Sequence, residues 1–75
     1  MTARAAIMGL LMEAPATTRD IALELWGDDS PYAMRKVSWH ISAMRQAGIH
    51  VERVGQVAGT GNRKLNLWAI QEGGT

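Results

Sequence analysis

Between Tyr32 and Gln46 the chain carries side chains suited to holding anions and reading hydrogen-bonding edges: Tyr32, Arg35, Lys36, Trp39, Ser42, Ala43, Arg45 and Gln46, with no acidic residue among them. Arginine and lysine neutralise phosphates or reach guanine acceptors, while Gln and Ser hydrogen-bond base edges. An aromatic ring or a small Ala can meet thymine methyls or sugars. At 100° per residue, Met34, Val37, Ile41 and Met44 fall within a sector of about 80°, which assigns them to a core and turns the basic set outward. A second group, Asn62, Arg63 and Lys64, follows the glycine-rich stretch Gly59-Thr60-Gly61, where basic groups and backbone N–H donors would suit a flanking phosphate backbone or minor groove.

Trp39 fits three settings by its chemistry alone: a DNA groove, the hot spot of a protein interface, or a lid folded back on the core. Catalytic and metal chemistry find little material. The two histidines, His40 and His50, have no cysteine and no second His at ligand spacing. His40 borders the core face of its helix and reads as a packing residue, and His50 as a strand surface residue. Ser38, His40 and Ser42 sit two apart on one helix and therefore diverge, so no nucleophile and base pair forms. Gly59-Thr60-Gly61 precedes a strand and lacks the spacing of a nucleotide-phosphate loop. Glu24, Asp28 and Asp29 are explained by helix-end chemistry, since acids near a helix start complement its dipole. Neither an enzyme nor a metal or cofactor protein is expected.

These residues need elements to hold them. Ala3, Ala6, Ile7, Leu10, Leu11 and Ala14 recur at helical spacing until Pro15, giving a first helix over about 3–14. Thr17 with Asp20 forms a capping-box variant, and Ile21, Ala22, Leu25 and Trp26 carry a short second helix over about 18–26, ending at Gly27. Ser30-Pro31 is a cap followed by a proline whose missing N–H costs nothing there, and Gly48 is a left-handed stop. The third helix spans about 31–47. The period then falls to about 2. Ile49, Val51 and Val54 to Val57 form one run and Leu65, Leu67, Trp68 and Ile70 another, a hairpin over about 49–70 with a bend or bulge at Gly55. The closing Glu72-Gly73-Gly74-Thr75 is expected to fray.

Three helices followed by a C-terminal β-hairpin, with Gly27-Asp28-Asp29-Ser30 linking a very short second helix to a capped third, is the plan of an α+β winged helix-turn-helix domain. Its third helix would be the recognition helix and its hairpin the wing. Seventy-five residues make one domain, and the absence of Cys excludes a disulfide framework and a thiolate metal site, which suits a cytoplasmic setting. The longest mainly apolar stretch, Ala5 to Met12, is too short to span a bilayer, and no basic n-region, h-region and cleavage site follow one another. A net charge of +1 is uninformative until divided. Residues 1–30 carry two bases against five acids, −3, whereas residues 31–75 carry six bases against two acids, +4. One side of a small domain is thereby expected to face an anion.

Leu23-Glu24-Leu25-Trp26-Gly27-Asp28-Asp29 and Arg35-Lys36-Val37-Ser38-Trp39-His40-Ile41-Ser42-Ala43-Met44-Arg45 resemble the effector domain of OmpR/PhoB-type response regulators, with its Val-Trp-Gly and its Arg-x-Val-Asp-Val-His-Ile-x-x-Leu-Arg helix. The similarity covers roughly residues 5–54. It implies a winged helix whose recognition helix enters the DNA major groove and whose wing touches the flanking minor groove. Arg35 matches a phosphate-contacting Arg, Val37, Ile41 and Met44 match core positions, and Arg45 matches another basic position. Trp39 replaces a small aliphatic residue, Ala43 stands where the family often has a base, and the wing is longer and lacks the ending Gly-x-Gly-Tyr-Arg. Base preference therefore does not carry over. No receiver domain or four-stranded N-terminal sheet is expected within 75 residues.

The expectation is a transcriptional regulator of bacterial or phage type that binds double-stranded DNA, aided by homodimerisation, tandem binding or an accessory protein. The alternative keeps the fold but uses Tyr32, Trp39 and Ala43 as an apolar anchor for a protein partner.

Overall fold

The structure, a computed structural model, describes residues 2–59 and 63–70. Thr60, Gly61 and Asn62, and the C-terminal Glu72 to Thr75, lie outside the described residues. In chain order the elements are α1 (Ala3–Glu13), β1 (Ala16–Thr17), α2 (Thr18–Trp26), α3 (Pro31–Gln46), β2 (Val51–Ala58) and β3 (Lys64–Ile70). This is an α+β architecture of three helices and a three-stranded antiparallel sheet of order β1-β3-β2.

Each helix begins and ends where its local chemistry requires. The Thr2 hydroxyl accepts from Ala5 N–H at the start of α1, at 3.1 Å. Thr17 and Asp20 close the capping box of α2: Asp20 N–H donates to Thr17 Oγ1 at 3.0 Å, and Thr17 N–H donates to the Asp20 carboxylate at 3.5 Å. Gly27 ends α2 at φ +64°, in the left-handed region. At α3, Ser30 Oγ accepts from Ala33 N–H at 3.2 Å, while the Asp28 carboxylate accepts both from Ser30 N–H and from its hydroxyl. Asp28 thus acts on α3 through Ser30. Asp29 instead pairs with Arg19 of α2 at 2.8 Å. Beyond α3, Gly48 N–H donates to Arg45 C=O and Ile49 N–H to Met44 C=O, with Gly48 at φ +91°, a Schellman ending.

Ile7 and Leu11 of α1, Ile21 and Ala22 of α2, Ala33, Val37, Ile41 and Met44 of α3, Val51 of β2 and Trp68 of β3 form the core. Met34 lies at its edge, half-buried, and Ala33 takes the buried place beside Val37.

Two features correct the simple hairpin. Ala16 and Thr17 pair with Trp68 and Leu67, so a third strand lies against β3 between α1 and α2. In β2 the ladder skips Val54: Arg53 pairs with Trp68 and Gly55 with Leu67. That bulge lies at the bend expected near Gly55, and it keeps Arg53 and Gln56, three residues apart, on the same face of the strand. Glycine at 59 answers close packing, because a Cβ there would lie 3.1 Å from Arg63 O and 3.2 Å from Leu65 Cγ. The strand expected from Ile49 begins at Val51, because Ile49 is engaged in ending α3.

Candidate nucleic-acid interface

The sheet face toward the helices changes character along its length. Val51, Trp68 and Ile70 occupy its core end, whereas register puts Arg53, Gln56, Lys64 and Asn66 on the same face farther out. Trp68 fixes this sheet to the helices: its indole N–H donates to Thr18 Oγ1 at 2.9 Å, a buried link between β3 and the first turn of α2. A polar and basic end of the hairpin therefore stands beside α3.

The exposed surface of α3 divides lengthwise. On the hairpin side, Arg35 and Ser38 join Pro31, Met34, Arg63, Lys64, Leu65 and Asn66 around a groove of about 390 Å³ floored by Thr18. The two basic groups expected from the sequence, Arg35 on the helix and Arg63 with Lys64 on the hairpin, thus line one groove. Farther along the helix, Arg45 faces a second groove of about 430 Å³ with Glu52, Arg53, Asn66 and Trp68. Ser42 and Gln46 are exposed between and beyond these, lining neither.

The α2 side of α3 is aromatic. Lys36 is half-buried, its Nζ 4.3 Å from the Trp26 ring centroid and 5.4 Å from that of Tyr32, so its charge is held over two π faces instead of joining the Arg35 groove. Such contacts stabilise by about 0.5–1 kcal/mol at exposed sites. His40 packs between Trp26, at 6.3 Å, and Trp39, whose ring meets it edge-on at 5.1 Å. Trp39 remains 67% exposed and Tyr32 70%, so Trp39 is not a lid on the core. Ala43 is half-buried on this side. His50 is exposed but precedes β2 instead of lying within it.

Sequence reading singled out neither Arg53 nor Asn66. The signal was present in outline: a bulge at Gly55 combined with strand alternation aligns Arg53 with Gln56, but their relation to α3 requires the register with β3. Asn62 falls outside the described residues. Among the described residues, no group of three or more His, Cys, Asp or Glu is arranged to hold a metal ion, and no helix is long and apolar enough to cross a membrane. Arg19–Asp29 is the single ion pair among them, which leaves Arg35, Arg45, Arg53, Arg63 and Lys64 without carboxylate partners there. Comparison of the chain with protein-family models, with curated proteins and with solved structures found no match.

Proposed function

We propose that this chain is a winged helix-turn-helix domain that binds double-stranded DNA as a small transcriptional regulator of bacterial or phage type. α3 enters the major groove and the β2–β3 hairpin lies on the flanking backbone. The observation that carries the reading is the convergence of Arg35 with Arg63 and Lys64 around one groove, without ion-pair partners among the described residues and beside an acid-free helix surface. The element order, three helices followed by the β2–β3 hairpin, supports the fold assignment, and β1 is an addition to that plan.

In this mechanism Arg35, Arg63 and Lys64 neutralise phosphates and set the depth at which α3 sits. Ser42 and Gln46, exposed along the helix, offer hydrogen bonds to base edges; a Gln amide suits the paired acceptor and donor of adenine. Four to six phosphate contacts imply a log–log salt dependence with a slope of roughly −4 to −5, hence modest affinity from one module. A homodimer, tandem sites or an accessory protein would supply the remaining specificity.

The test is duplex selection with the purified chain at two salt concentrations, followed by titration of variants. Arg35→Ala is expected to weaken binding and to reduce the salt slope by about 0.9, and Arg63→Ala to weaken it with little change in sequence preference. If both bind the selected duplex as wild type does, the groove assignment is wrong.

A second reading rests on the exposure of Tyr32 and Trp39, which suits an aromatic anchor for a protein partner. It is favoured if no duplex is bound at 50 mM salt while a partner protein is captured by wild type and lost with Trp39→Ala.

A further inference from the structure

The second groove is lined by Arg45 from the last turn of α3, Glu52 and Arg53 from β2, and Asn66 and Trp68 from β3. Arg45 and Arg53 are exposed and have no ion-pair partner among the described residues, although the Glu52 carboxylate lines the same groove. Asn66 is held in place by Gln56, whose Nε2 donates to Asn66 Oδ1 at 3.1 Å. With its oxygen engaged, the Asn66 amide has its N–H donors left for a further partner. Asn66 also lines the groove of Arg35, Arg63 and Lys64, so one side chain borders both.

We infer that Arg45, Arg53 and Asn66 form a second phosphate-binding subsite, which takes the sugar–phosphate backbone of the same duplex beyond the contact made at Arg35. This rests on the DNA-binding reading above. Two guanidinium groups on different elements, with an amide lining the same groove, match the oxygens of a phosphodiester by charge and hydrogen bonding. Ten residues separate Arg35 from Arg45, about 15 Å along α3, so the two guanidinium groups reach different phosphates of a strand. Backbone can therefore run along the hairpin side of α3 from one subsite to the other. Asn66, which borders both grooves, contacts it as well, and Glu52 weakens the field at the second subsite by its opposite charge.

Titration of a selected duplex across salt concentrations, with wild type, Arg53→Ala, Glu52→Gln and Arg35→Ala, tests this. Arg53→Ala is expected to lower affinity roughly two- to fivefold for selected and scrambled duplexes alike, and to reduce the salt slope by about 0.9. Glu52→Gln is expected to raise affinity for both duplexes by a similar factor. If Arg35→Ala weakens binding while Arg53→Ala and Glu52→Gln leave affinity and slope at wild-type values, the second subsite is refuted and the DNA-binding reading stands. Absence of duplex binding by wild type overturns both.

Discussion

Replacing Thr18 by valine tests the join on which the groove between α3 and the hairpin depends. Thr18 is 7% exposed and Trp68 9%, and the 2.9 Å bond from the indole N–H to Thr18 Oγ1 links residues fifty apart in sequence. Valine keeps the shape of threonine but removes the acceptor, leaving a buried N–H unsatisfied. That costs about 1–3 kcal/mol, offset by up to about 0.8 kcal/mol from the added buried methyl. The net expectation is a loss of about 1–2 kcal/mol. A chain of this length has roughly 4–11 kcal/mol of stability at 0.05–0.15 kcal/mol per residue, so the loss is a sizeable share. It corresponds to a drop in Tm of roughly 4–16 °C for a small domain. Urea unfolding should show a lower midpoint with an unchanged slope, and the Trp68 indole N–H should exchange with solvent faster than in wild type. Pairing Thr18→Val with Trp68→Phe in a double-mutant cycle should give a coupling of about 1 kcal/mol. A Thr18→Val protein with wild-type midpoint and wild-type indole exchange would refute the claim that this bond fastens the sheet to the helices.

Two further outcomes follow from the local geometry. Ser30→Ala removes both the hydroxyl that caps Ala33 N–H and a hydrogen bond to Asp28, and should cost about 1 kcal/mol in urea unfolding, whereas Ser30→Gly should cost only a few tenths. Deleting Val54 converts the bulge into a regular ladder in which Arg53 still opposes Trp68 and Gln56 still opposes Asn66. The deletion should therefore fold, with cross-strand contacts between Arg53 and Trp68 retained in NMR spectra, while the reduced local twist re-aims the outer hairpin and weakens any duplex binding.

The helices were legible because their signals are local. Apolar spacing, a hydroxyl three residues before the N–H it caps, and glycine at a left-handed stop act within a turn or two, and Thr17, Ser30, Gly27 and Gly48 perform those roles. The hairpin was legible for the same reason, down to the irregularity near Gly55. β1 was not. Two residues, Ala16 and Thr17, carry no periodicity, and they are a strand because Leu67 and Trp68 return to pair with them.

The candidate site divides along the same line. Residue types and helical spacing alone determined that the outward surface of α3 is basic, polar and aromatic without acids, and that the chain's bases concentrate after Ser30. Only the tertiary structure decided which of them act together. It turned Lys36 onto the rings of Trp26 and Tyr32, left Trp39 exposed beside His40, and gathered Arg35 with Arg63 and Lys64. It also brought Arg53, unremarked in the sequence, into one groove with Arg45. A side chain's type is a property of its own residue, but its charged neighbours are set by strand register and helix packing, which bring together residues far apart along the chain.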